Sequence, residues 1–168
     1  MPDLADLNDA APDVLRARLL ALTASEAWAD ALVSGRPFQS LEALLDTSDD
    51  IIARLDEHEI DAALAGHPRI GEQATHLDDE SAARSAQEQA AMTTADADAR
   101  SAMTRANAAY EKRFGRIYLV AAAGRSARDL LSLAHRRLGN DPRAELDVVR
   151  GELARITRLR LADAWRDR

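Results

Sequence analysis

Only one stretch of this chain, Arg116 to Ala122, reads as a β-strand, and it is short. Around it, alanine, leucine, arginine and glutamate dominate, all strong helix formers, while aromatic residues make up only 4%. A lone short strand has no sheet to join, so the chain is predicted to be all-α. With 168 residues it fits one domain, 1–168, large enough to bury a core without help from metal or disulfides. There is no cysteine, which removes disulfides, thiolate zinc sites, iron–sulfur ligation and cysteine nucleophiles together.

The helix boundaries are marked by caps and breakers. Asp13 to Leu22 and Ser25 to Val33 read as two short helices, the second ended by Gly35, Arg36 and Pro37. Ser40 caps a short helix through Leu45. Thr47 or Ser48 caps the next, which runs to about Ala65 and stops at Gly66 and Pro68. Residues 67 to 78 form a polar loop, and a long central helix spans Asp79 to Lys112. After Gly115 comes the apolar piece Ile117 to Ala123. Ser126 caps a helix through about Leu138, and Asp141 with Pro142 opens a last one to about Trp165. The expected architecture is a single-domain bundle of about seven to eight helices.

The net charge is −7 and the pI about 5.1, which argues against nucleic acid as a partner, since phosphate binding needs a basic face. The longest apolar run, Ile117 to Ala123, falls far short of the roughly 20 residues that span a bilayer. MPDLADLNDA lacks the hydrophobic core of a signal peptide, and the terminal WRDR is no peroxisomal address. A soluble cytoplasmic protein, without membrane or nucleic-acid partners, is expected.

Several polar residues interrupt apolar patterns. In the last helix Leu146, Val149, Leu153 and Ile156 form a stripe whose next step is Arg160. Either the stripe ends there and Arg160 reaches solvent along its stem, or a partly buried guanidinium waits to grip a carboxylate in two-pronged geometry. In the long helix Met92, Ala95, Ala99, Ala102, Ala106 and Ala109 make a stripe of mostly small residues that extends back to Glu88 and Ser85, with Gln89 on the neighbouring face. Glu88 there either pairs with Arg84 across one turn or belongs to a site.

His67 stands in AGHPRIGE, residues 65 to 72. Pro68 disfavours the α region at position 67, and Gly71 allows a tight return, so the bend can project an imidazole into a cleft. A lone histidine is more often structural than catalytic. His58, His67 and His76 are spaced by nine, which is no face-sharing helical spacing, so no metal site is expected. His58 and His135 read as surface residues on helices.

The order GHPRIGE, SAQEQAAM, NAAYEKRFGRIYLVAAAGRSA, RLGNDPRAEL and ARITRLRL resembles the 2-oxo-4-hydroxy-4-carboxy-5-ureidoimidazoline (OHCU) decarboxylases of urate breakdown, from about Trp28 to Leu161. The resemblance implies an all-helical homodimer with no metal and no organic cofactor, acting on OHCU. It implies that His67 is catalytic, with Glu88 and Arg160 alongside it, Arg160 as the anion-binding residue. It also implies that Pro68, Ser85 and Gln89 line the substrate site and that backbone groups of Tyr118, Leu119, Val120, Ala121 and Ala122 contact the substrate. Three places depart from the family pattern: Arg116 follows Phe-Gly where an aromatic is common, Ala90-Ala91-Met92 replaces a small-Gly-Leu run, and TASEAW is less aromatic. Two other readings stay open: a non-enzymatic helical ligand-binding module, and an enzyme of the same fold acting on another ureido acid.

Overall fold

The computed structural model describes residues 2–72, 79–93 and 95–166, leaving aside the side chains of Asp79, Ser81, Ala82, Ser85 and Thr93. Among the described residues there are ten helices and no strand. They are α1 (Leu4–Asp9), α2 (Pro12–Leu22), α3 (Glu26–Ser34), α4 (Leu41–Ile52), α5 (Glu57–Leu64), α6 (Asp79–Glu88), α7 (Ala90–Thr93), α8 (Ala97–Phe114), α9 (Ala127–Arg137) and α10 (Pro142–Ala164). The all-α expectation is borne out. The strand-like piece at 117–122 is irregular chain.

Four of the ten helix starts fall at expected positions and carry a side-chain cap. Ser25 accepts from the Trp28 N–H, Ser40 from Ala43 and Ser126 from Asp129, whose carboxylate returns the bond as a capping box. Asp141 accepts from the N–H groups of Arg143 and Ala144 ahead of Pro142. Gly115 ends α8 at φ 71°, in the left-handed region that glycine tolerates.

Three boundaries need correction. The helix that begins at Ser40 does not stop at Leu45, and neither Thr47 nor Ser48 caps a new one; α4 continues to Ile52. Thr47 donates back to the Ala43 carbonyl at 2.7 Å and Ser48 Oγ accepts from Trp28 Nε1 at 2.9 Å, so both hydroxyls are satisfied without interrupting the helix. Asp56 instead caps α5 through the Glu59 N–H at 2.9 Å. The long helix expected over Asp79 to Lys112 is three helices. Gln89 sits in a turn, and Asp96 caps α8 through Ala99 at 2.7 Å, giving the backbone a local alternative to continuing the helix. The expected stripe of small residues therefore spans two elements, and Ala109 is exposed. The inward face of α8 is Met103, Ala106, Asn107 and Tyr110. Lastly, α1 was not foreseen; Asp3 and Asp6 form its capping box.

The chain divides into two compact units, one made of Met1–Ala63 with Arg150–Arg168 and the other of Leu64–Val149. In the first, α2 packs on α3 and α3 on α4, burying Leu15, Leu19, Trp28, Leu32 and Leu44. Polar ties bind the later part of α10 into this unit: Thr23 and Thr157 share a hydrogen bond of 2.8 Å, and Arg150 Nε donates to the Leu55 carbonyl at 2.9 Å. Arg158 meets Asp46, Asp49 and Glu42.

In the second unit, α8 packs on α9 around a core of Ile70, Met92, Met103, Tyr110, Tyr118 and Leu130, among others. Among the described residues, no helix is long and apolar enough to cross a membrane.

Leu153 is fully buried on the α10 stripe. Leu153→Ala is expected to cost about 2–5 kcal/mol, the usual penalty for emptying a core leucine site. Urea unfolding checks this as a lower midpoint at unchanged slope.

Candidate active site

His67 lies in the bend between α5 and α6 and is 7% exposed; Pro68 beside it is also buried. The bend is tied at several points. The His67 N–H donates to the Leu64 carbonyl at 3.0 Å and the Glu72 N–H to the Arg69 carbonyl at 3.1 Å. Gly71 returns the chain at φ 88°, where an L side chain would be strained. Its N–H donates to Gln89 Oε1 at 2.8 Å. On the exposed side of the bend, Arg69 Nε meets Glu111 at 2.6 Å in a pair that adds little stability.

The structure thus brings Gln89 onto the bend that carries His67, an arrangement that helical spacing alone could not foresee. Glu88 is the half-buried last residue of α6. Ser85 is on the same helix, but its side chain lies outside the described residues, as does His76. Arg84 pairs with Glu80 at 3.4 Å, one turn earlier in the helix. Met92, one of the departures from the family pattern, is a core residue whose Cε lies 3.9 Å from where a Cβ on Gly71 would sit. Arg116, another of them, is half-buried.

Tyr118, Leu119, Val120, Ala121 and Ala122 are all buried. Tyr118, Val120 and Ala122 join the core that also holds Ile70 and Met92. The Tyr118 hydroxyl donates to the Leu130 carbonyl at 2.9 Å.

Arg137 anchors the next position: its Nη1 donates to the Leu119 carbonyl at 2.6 Å and its Nε to Glu145 Oε1 at 2.7 Å. Tyr110 donates its hydroxyl to the same carboxylate at 2.5 Å, and Asn140 Nδ2 to the other oxygen at 2.9 Å. The guanidinium also lies over the rings of Tyr118 and Tyr110, at 4.9 and 5.5 Å from their centroids. Burial is the largest influence on Arg137 and opposes its charge, but the hydrogen bond to Glu145 and the electrostatic attraction of Tyr110, Glu145 and Tyr118 together outweigh it and raise the arginine pKa. Burial, helped by Glu145, pushes the Tyr110 phenol well above its ordinary value, so it stays a donor.

Sequence reasoning missed this network: nothing in the local pattern singles out Arg137, and Glu145 lies in the first turn of α10. Their shared partners come from three other stretches of chain.

Arg160 belongs to the other unit. It is 6% exposed and donates from Nη1 to the Leu22 carbonyl at 2.7 Å, so the solvent-reaching reading is set aside. His58 and His135 are exposed on α5 and α9, as expected.

Glu145 is completely buried. Glu145→Ala would strand the Arg137 charge, and a loss of about 3–5 kcal/mol is expected. Thermal unfolding checks it, and pairing the change with Arg137→Met should recover part of the loss.

Comparison with known proteins places the chain. The OHCU decarboxylase family model matches residues 8–162. A 2-oxo-4-hydroxy-4-carboxy-5-ureidoimidazoline decarboxylase of Mus musculus is 34% identical over 139 residues, covering 80% of this chain and 76% of that protein. One from Amia calva is 31% identical over 136 residues, covering 80% and 78%. The uric acid degradation bifunctional protein TTL of Arabidopsis thaliana is 30% identical over 146 residues, covering 86% of this chain but only 45% of that protein.

Two solved structures share the fold. An OHCU decarboxylase crystallised in the presence of (S)-allantoin gives a TM-score of 0.75 at 24% identity, covering 89% of this chain and 98% of that one. An (S)-allantoin synthase gives 0.73 at 15% identity, covering 97% and 54%. With the family model matched over nearly all of its length, and three relatives at 30% identity or more, the chain belongs to the OHCU decarboxylase family.

Proposed function

We propose that this protein is a carboxy-lyase that converts OHCU to (S)-allantoin, with His67 handling the protons. The observation that carries this is the family match over 8–162, through both compact units, together with a buried histidine on a multiply tied bend at the family's motif. The two units together are read as one functional domain, as the unbroken match supports.

The chemistry asks little of a cofactor. The bond to the carboxylate breaks, and its electron pair forms a double bond to the neighbouring carbon while the adjoining C=N pair moves onto nitrogen, which takes up a proton from solvent. Loss of the hydroxyl proton makes the new carbonyl. Protonation of the ureido-bearing carbon from one face then gives the S product. Because the substrate's own C=N accepts the electrons, the reading invokes neither a metal nor an organic electron sink.

What the protein supplies is orientation and proton transfer. Histidine suits the task because its ordinary pKa lies near 6.5, so it can accept from the hydroxyl and donate to carbon. Glu88 is assigned to the ureido or hydroxyl groups and to orienting the imidazole. Arg160 is assigned to an anionic part of the substrate, and its task is positioning, since an equal grip on ground and transition states adds no rate. Pro68, Ser85, Gln89 and the backbone of Tyr118 to Ala122 are assigned to substrate contact. On this reading the protein acts in the cytoplasm as a homodimer.

The test is circular dichroism of a coupled reaction, with OHCU generated from urate by urate oxidase and hydroxyisourate hydrolase. Wild type should produce optically active (S)-allantoin quickly. His67→Ala should lower turnover by about 100-fold or more, the usual scale for a lost acid–base group. Near-normal turnover in that variant would remove His67 from the mechanism. Ligand binding without product would point to a sensor or partner-binding module of the same fold. Ammonia release in place of CO2 would point to a hydrolase of another ureido acid.

A further inference from the structure

We propose that Asn107 is a positioning residue for this reaction, acting with Gln89 to grip both edges of the single peptide unit that closes the His67 bend. The inference rests on the reading of His67 as the proton-handling group. A peptide unit offers one acceptor and one donor. In the unit joining Ile70 to Gly71, the carbonyl accepts from Asn107 Nδ2 at 2.9 Å and the N–H donates to Gln89 Oε1 at 2.8 Å. Both side chains are buried, at 4% and 8% exposure. They come from different elements, Asn107 from the inward face of α8 and Gln89 from the turn after α6.

Two opposed hydrogen bonds fix the rotation of that peptide plane about the chain. Between it and His67 there is little slack. Pro68 has a locked φ, and the Ile70 side chain is packed in the core. The other end of the bend is held by the bond from the His67 N–H to the Leu64 carbonyl. The position of the imidazole is therefore set through the backbone from both sides. Catalytic geometry is sensitive at this scale, since a displacement of about 1 Å can cost 100-fold in rate.

Apolar packing alone would not choose asparagine here. The position lies among Met103, Ala106 and Tyr110, where an aliphatic side chain would pack but would leave the Ile70 carbonyl unmet. Asn107 instead leaves its Oδ1 buried with no hydrogen-bond partner among the described residues. That is unfavourable, and the donated bond to Ile70 is what the side chain provides in return. The same bond fixes which way the amide faces, because only nitrogen can donate to a carbonyl.

The experiment compares Asn107→Asp and Asn107→Leu with wild type in the full chain. Each variant is measured for kcat and KM on OHCU by circular dichroism, for melting temperature, and for amide exchange at Gly71 and the imidazole nitrogen shifts of His67 by NMR. The aspartate keeps the shape and, at a pH where it is ionised, removes the donor; the leucine removes both polar groups. The expected result is kcat lowered by about tenfold or more with KM changed by less than about threefold, as for lost orientation rather than lost binding. Faster Gly71 exchange and moved His67 shifts should accompany it.

Unchanged kcat in a folded variant overturns the proposal, as does a fall that appears in KM alone. If wild type does not turn over OHCU, the functional reading fails, while the exchange and imidazole shifts still judge the clamp, and unchanged values sink it. If neither variant folds, wild-type exchange decides: a slowly exchanging Gly71 amide supports the clamp, and one that exchanges like an open loop overturns it.

Discussion

A guanidinium sealed away from water must be matched group by group, and in the second unit that demand organises what surrounds it. Arg137 spends its donors on Glu145 and on the Leu119 carbonyl, and its face on two tyrosine rings. Glu145 in turn needs Tyr110 and Asn140 to complete its oxygens. Five stretches of chain are thereby held by one buried pair: α8, the irregular segment after it, α9, the turn before α10 and the first turns of α10. With few aromatics and many alanines, this unit has limited apolar bulk, and directional bonds supply the specificity that large side chains provide elsewhere. Whether such a pair adds net stability is a separate matter, since desolvation offsets much of the attraction; its clearer effect is to permit one arrangement.

The irregular segment from Tyr118 to Ala122, proposed above to contact the substrate, is held by that network. Irregular backbone inside a protein must have its polar groups met, and no helix does that here. Arg137 meets one carbonyl, and alternate side chains enter the core. The segment is thus rigid without being regular, which leaves its other backbone groups in fixed directions. The His67 bend is treated in the same way, by side-chain amides from α8 and from the turn after α6. Both stretches pack into a common hydrophobic core through Ile70, Tyr118 and Val120. Functional groups carried on loops and held by helices combine reach with low freedom.

Much of the helical layout was legible because caps are local. Ser25, Ser40, Ser126 and Asp141 satisfy backbone N–H groups two or three residues on, so a short window of sequence contains both partners. The same residue types misled at Thr47 and Ser48, whose hydroxyls found partners inside and across helices. The break after Gln89 was missed for the complementary reason: nothing in its neighbourhood forbids a helix, and its side chain is taken by Gly71, distant in sequence. The broken stripe left Arg160 either reaching solvent or partly buried, and it is buried, since a 3.6-residue period is also a local property.

By itself, then, the sequence determined that the chain is helical, where most helices begin, and which bend carries the histidine. It did so through interactions whose partners lie within a turn of one another and through motifs whose order identifies the family. Tertiary structure alone decided that Asn107 and Gln89 close on one peptide unit, and that Arg137 meets Glu145, Tyr110 and Leu119. Those bonds join residues 8 to 37 positions apart, and their geometry exists only once the helices have packed. A polar side chain on an apolar face shows that it needs a partner; the packed fold supplies the partner's identity.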